Sequence, residues 1–234
     1  MINRAFPVAI LLATLPFPTF AQGITGGELG VEYNAPTNGS NFGGTTYSGG
    51  LEYGFLQNFS VSANAAGFKP DNISTTANNI TLHGTYHLSS AASLGGFYGF
   101  DSVDGDGLDL FGVEGRTEFM GAKFSAYLGK ADDSGDEGTI FGMDGSYGLR
   151  SGFSLIGNVD LIDLDTRLTE ASIGAEYQMV SGPQFYTQIG QITGDVGTES
   201  DSVGFFTVGA KVAFGAARGT TFTNRSVFEV LPGF

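Results

Sequence analysis

The feature that most constrains this chain is a two-residue period, recurring in segments of about ten residues from position 24 to 214. Residues 78–101 show it plainly. Ile80, Leu82, Gly84, Tyr86 and Leu88 fall on one side, and Thr81, His83, Thr85 and His87 on the other. Ser89-Ser90-Ala91 then turns the chain, and Leu94, Gly96, Tyr98 and Phe100 resume the alternation. Successive side chains of a strand point to opposite faces, so this is a hairpin with one apolar face and one polar-to-small face.

The same reading predicts strands over 24–34, 44–55, 59–68, the two of the hairpin, 108–119, 122–130, 139–149, 153–161, 170–179, 184–193 and 204–214. The eleventh is ambiguous in phase because Phe185 and Tyr186 are adjacent. Connections alternate long and short: APTNGSNFG, KPDNISTTAN, DSVDGDG, ADDSGDEG and GDVGTESDS are long, whereas Gln57-Asn58 and Met120-Gly121 are tight. An even strand number, ten-residue alternation and tight turns at one rim describe an outer-membrane barrel. The predicted fold is all-β: a single transmembrane antiparallel up-and-down β-barrel of about 12 strands. Tyr47, Tyr53, Phe59, Phe100 and Tyr147 are candidates for its aromatic girdles.

The first 21 residues differ from the rest. A short basic start at Arg4 precedes the apolar run FPVAILLATLPF, and Ala21 offers a small residue at the cut point. This is the plan of a secretory signal peptide, over residues 1–21, cleaved before Gln22. The expected organisation is then barrel over 22–214 and a tail over 215–234. Beyond the leader no run reaches the ~18 apolar residues of a spanning helix, so only a closed barrel could cross a membrane. The alternative is a soluble exported sandwich or lipocalin-like barrel, whose apolar faces would pack on a core.

Charge and composition exclude several functions. Formal net charge is −14, the wrong sign for nucleic acid. No cysteine is present, so neither disulfides nor thiolate metal sites are available. The acidic runs Asp101–Asp109 and Asp132–Glu137 offer oxygen ligands, but not at the spacing of a twelve-residue calcium loop. No cofactor or metal is expected.

The non-apolar face supplies the candidate pore lining: Glu28, Glu32, Glu52, His83, His87, Glu114, Arg116, Glu118, Lys123, Asp144, Asp160, Glu176 and Lys211. Eight of these are acids against three fixed bases. Charges in a narrow low-dielectric tube select ions by sign, so a weak cation preference is expected. A competing arrangement pairs Glu114, Arg116 and Glu118 with Lys123 in a ladder that partly fills the tube. His83 and His87 stand four apart on one strand, ~13 Å, which is too far for a shared metal. They also sit away from the outer rim, where a Ser-His or Asp-His hydrolase site would be needed, so no enzyme is expected.

The stretches ELGVEYN, TTYSGGLEYGF and FSVSANAAGF, with the aromatic-ended FFTVGAKVAF, resemble small porin-like outer-membrane proteins of Gram-negative bacteria. The resemblance extends over most of the chain after the leader. It implies a passive pore for ions or small polar solutes, set among outer-membrane lipid and lipopolysaccharide, and it leaves a homo-oligomer open. General porins are longer and carry a long inward constriction loop, which this chain lacks. Family members also commonly end on an aromatic strand residue. Phe214 can fill that role, leaving 215–234 as a periplasmic tail; alternatively Phe228 and Val230 belong to a closing strand. A structural or adhesive barrel with a mostly filled lumen is the second functional reading.

Overall fold

The computed structural model describes residues 23–38, 43–71, 74–133, 136–180, 182–196, 199–216 and 219–230. The expected leader, 1–21, lies outside them. Twelve strands follow in chain order: β1 (Gly23–Pro36), β2 (Gly44–Leu56), β3 (Phe59–Pro70), β4 (Ala77–Ser89), β5 (Ala92–Val103) and β6 (Asp106–Phe119) form the first half. The second half is β7 (Ala122–Asp133), β8 (Asp136–Gly148), β9 (Phe153–Asp163), β10 (Arg167–Gln178), β11 (Gln184–Val196) and β12 (Glu199–Phe214). Each pairs antiparallel with its sequence neighbours, and β1 pairs with β12 from Gly27↔Phe214 to Pro36↔Phe205, closing the barrel. Closure leaves no open sheet edge, the condition for strands in hydrocarbon.

The outer surface carries the apolar half of the alternation. Leu29, Val113, Ile173 and Ile189 are each more than half exposed, with Val113 at 64 %. Tyr47, Phe59, Phe100 and Tyr147 also project outward, and Tyr53 is half-buried. A soluble barrel or sandwich would cover these groups; a continuous apolar belt of this extent fits acyl chains. Along β11, Phe185 and Ile189 face out, and Tyr186 and Gln188 face in, which settles the phase that the sequence left open.

Three expectations need correction. First, the strands run longer than ten residues, from 11 to 16, and absorb most of the expected long loops. DSVDGDG contracts to Asp104-Gly105 because those two residues have φ of 52° and 100°, a turn that matches strand twist. The flanking residues stay paired, Ser102↔Gly107 and Val103↔Asp106. ADDSGDEG and GDVGTESDS likewise lie mostly in strands, so the long/short rule survives only at 37–43 and 71–76.

Second, the inner face is not polar throughout. Phe97, Leu110, Ala131, Ile140 and Ile162 form a buried apolar collar inside β5–β9, and Ala66, Phe68 and Ala77 form another on β3–β4. Third, the tail is neither a closing strand nor a periplasmic appendage. After Phe214 it turns back, and residues 219–230 run inside the barrel, ending in a 3₁₀ turn over Val227–Glu229 capped by Ser226. Val230 packs in the first collar and Phe228 in the second.

Candidate functional site

The lumen divides into two halves. Along β2–β6 many inward residues are short, among them Ser60, Ser62, Asn64, Thr81, Thr85, Gly95 and Gly99, beside the larger Glu52, His83, Phe97 and Glu114. That wall leaves room for a peptide, and the tail occupies it. A Cβ on Gly26 would lie 1.7 Å from the Gly219 carbonyl oxygen, on Gly95 2.8 Å from the Phe222 ring, and on Gly99 3.0 Å from the Arg225 carbonyl oxygen. Glycine leaves that space, which the tail's backbone takes at Gly26 and Gly99 and the Phe222 ring at Gly95.

Polar wall groups hold the tail along its length. Toward the rim of the Gln57-Asn58 turn, Glu52 accepts from the Thr25 hydroxyl at 2.9 Å and from the Thr221 N–H at 2.8 Å, and Arg116 donates to the Thr221 carbonyl at 2.8 Å. Asn64 donates to the Phe222 carbonyl at 3.0 Å. Thr81 accepts from the Arg225 N–H at 3.0 Å, and Asn79 donates to the Arg225 carbonyl at 2.9 Å. Asp101 takes the Ser226 hydroxyl and the Val227 N–H, both at 2.8 Å.

The centre of this half is ionic. His83 Nδ1 lies 2.6 Å from Glu114 Oε1, and Arg225 Nη2 lies 3.0 Å from Glu114 Oε2. The Arg225 guanidinium also sits 4.5 Å from the Tyr127 ring centroid, and the Phe222 ring stacks on His83 at 6.0 Å. All three ionisable side chains are buried. A buried carboxylate is tolerated only when paired, so the tail's arginine makes Glu114 compatible with this interior.

The other half, along β7–β12 and β1, is lined by longer polar side chains around a cavity of about 500 Å³. Glu32 accepts from Tyr186 at 2.7 Å and Asn34 at 2.9 Å; Asp160 accepts from Tyr127 and Asn158, both at 2.9 Å. Glu170 accepts from Asn158 at 3.1 Å. Lys211 approaches Glu28 at 3.8 Å. Asp144, Glu176 and Lys123 line the same cavity, as does Glu229 on the tail's free side. A second cavity, about 350 Å³, opens at the rim that carries the Asp104-Gly105 turn, among Asp106, Asp133, Glu137 and Asp165. There Lys130 forms an ion pair with Glu137. Among the described residues Phe228 is the one side chain that lines both cavities.

Thus the thirteen expected lumen residues do not act as one set. Glu28, Glu32, Lys123, Asp144, Asp160, Glu176 and Lys211 border the open cavity. Arg116 borders it too, while its guanidinium serves the tail. Glu52, His83 and Glu114 are covered. His87 bridges Ser60 and Ser93, at 2.9 Å to each, and Glu118 is exposed at the rim. The expected ladder does not form: Glu114 turns to His83 and Arg225, and Glu118 and Lys123 are cross-strand neighbours without an ion pair. Sequence reasoning missed Glu170, Asp101, Arg225 and Glu229. Glu170 shares the phase of Ser172 and Glu176, so parity alone would have found it. The tail residues carried no phase to read.

No family model and no curated protein matches the chain. Solved structures do match in fold. The KdgM porin aligns at a TM-score of 0.59 and 9 % identity, over 79 % of this chain and 97 % of that one. The NanC porin aligns at 0.55 and 13 %, over 79 % and 98 %. The CymD monoaromatic hydrocarbon channel aligns at 0.55 and 11 %, over 82 % and 90 %. The fold is therefore that of small porin-like outer-membrane barrels.

Proposed function

We propose that this protein is an outer-membrane pore for small cations or small polar solutes, gathered at an acidic mouth and received in the polar half of the lumen beside the tail. The observation that carries the reading is the 500 Å³ water-accessible cavity running beside the tail, bordered by Glu28, Glu32, Asp144, Asp160, Glu170, Glu176 and Glu229. A permanently filled structural barrel has no use for such a space. Acids exceed bases around it, and the fields of unlike charges cancel only where they pair closely. Arg225 is committed to Glu114, and Arg116 to a backbone carbonyl, which leaves Lys123 and Lys211 against the acids. The outer mouth adds four further carboxylates. Such a funnel concentrates cations before they enter.

The neighbouring folds are consistent with transport. One KdgM porin structure is a complex with disordered oligogalacturonate. This chain's excess of carboxylates is opposite in sign to a lining suited to an acidic sugar, so its solutes are proposed to be neutral or cationic. Catalysis is not proposed. His87 is satisfied by two serine hydroxyls and His83 by a buried carboxylate, and neither adjoins the open cavity. Lipid and lipopolysaccharide are proposed to surround the apolar belt.

The test is planar-bilayer recording of the chain after leader removal, in a potassium chloride gradient. The reading expects discrete openings with a reversal potential on the potassium side. Silence from both this chain and a chain ended at Phe214 contradicts a pore, and a chloride-side reversal contradicts the cation preference.

A further inference from the structure

We propose that residues 219–230 form a detachable plug, a built-in gate that leaves its groove to join the inner cavity to the outer mouth. This rests on the pore reading for its consequence, though not for its geometry. Four observations converge on it.

The barrel does not need the tail for closure, because β1 and β12 complete the sheet by themselves. The tail therefore adds no strand and can leave without opening an edge. It joins β12 through Gly215 and Gly219, with φ of 87° and 117°. Both residues reach conformations that other L-residues rarely adopt, so the connection can reverse direction within a few residues.

The tip stands at the point where the path is interrupted. Phe228 lines both cavities, with Phe68 against its ring at 5.6 Å, and Val230 fills the collar of Phe97, Leu110, Ile140 and Ile162. An apolar collar inside an otherwise polar lumen is explained by the tip that seats in it. A constriction of this kind blocks ions by excluding water.

The wall beneath the tail is also suited to water. It presents Ser62 and Thr85, whose hydroxyls make no bond to the tail and which a permanent core would replace with apolar residues. Several groups lack a protein partner while the plug is seated: the Ser62 and Thr85 hydroxyls, Asn64 Oδ1, His83 Nε2 and both polar atoms of Asn224. Asn224 is only 4 % exposed. Unpaired buried polar atoms raise the energy of the seated state, and hydration in an emptied groove would relieve them. The seated state is therefore held by Arg225, Phe228, Val230 and the wall's hydrogen bonds to the tail, against the cost of these unpaired groups, so that a second, unseated state can be populated.

The experiment uses the full chain, which contains no native cysteine. Ser226→Cys places a thiol where it is covered while the plug is seated, and a small water-soluble thiol reagent reads how often it emerges. Slow labelling that accelerates roughly 100-fold when Phe228→Ala is added is the expected result, since truncating a buried phenylalanine releases that much of the tip's hold. Asp101→Cys with Ser226→Cys joins two side chains that meet at 2.8 Å. Oxidised, this pair should hold the protein at its lowest conductance, and reduction should restore openings at least about twofold larger. Equal conductance with and without the disulfide overturns the gate. A Ser226→Cys thiol that never labels, even beside Phe228→Ala, overturns detachment. If no variant conducts, the pore reading fails, and the labelling rates alone still decide whether the plug leaves.

Discussion

The two halves of the lumen share one strand pattern and differ in what occupies the space between their inward side chains. Along β2–β6 the inward positions include many Gly, Ser, Thr and Asn among larger groups such as Glu52, His83 and Glu114, and the chain's own tail fills the remaining space. Along β7–β12 they include Tyr127, Glu170, Glu176, Tyr186 and Gln188, and a cavity is left between them. Twelve strands enclose a tube between the side-chain-filled eight-stranded barrel and the open sixteen-stranded porin. Here the wall composition decides, half by half, which of those limits is approached. Charge follows the same division. Carboxylates under the tail are matched by Arg225 or by backbone N–H groups, as at Glu114 and Asp101. Those facing the cavity rely on tyrosine and asparagine donors.

The comparison can be broken most forcefully by ending the chain at Phe214. The emptied half should then resemble the other, and single-channel recordings should show a permanently open level with no return to the low state. Next comes Arg225→Ala. It strands Glu114 in a buried site, and removing one partner of such a pair costs about 3–5 kcal/mol. Denaturant titration of the reconstituted chain should show that loss, and Arg225→Ala with Glu114→Gln should recover most of it. On the lipid face, Val113→Lys is expected to cost about 2–4 kcal/mol near the bilayer centre by the same assay, without altering ion preference. Gly95→Val is subtler. Its added carbon meets the Phe222 ring at under 3 Å, so it should loosen the tail while the barrel's melting transition stays in place. Smallest is Asp160→Asn in the open half. One carboxylate among several is lost, so the reversal potential should move a few millivolts toward neutrality with conductance otherwise kept.

The barrel was legible in the sequence because a two-residue period survives any particular packing. Phe111 and Val113 outside and Glu114 inside follow from parity alone. The hairpin Asp104-Gly105 was also readable, yet the surrounding Asp and Ser residues resembled loop. They are strand because the turn needs only two residues and their backbone groups keep pairing above the apolar belt. The plug was not legible. Its alternating Phe222, Asn224, Ser226, Phe228 and Val230 reads equally as an edge strand, and only three-dimensional closure by β12 removes that option. One clue was available. LDLFGV places Leu110 on the inward face beside outward Phe111, and an inward leucine in a wet tube requires an apolar partner. Val230 is that partner, but sequence order gives no hint of a contact 120 residues away.

The most direct test compares cysteines on the two walls of the membrane-embedded full chain, using a small charged thiol reagent. Gln188→Cys and Asn158→Cys, on the open wall, should react fast; Ser62→Cys and Thr85→Cys, under the tail, should be strongly protected. Equal reactivity on both walls, or protection on the open side, would contradict a barrel that is half filled by its own C-terminal segment.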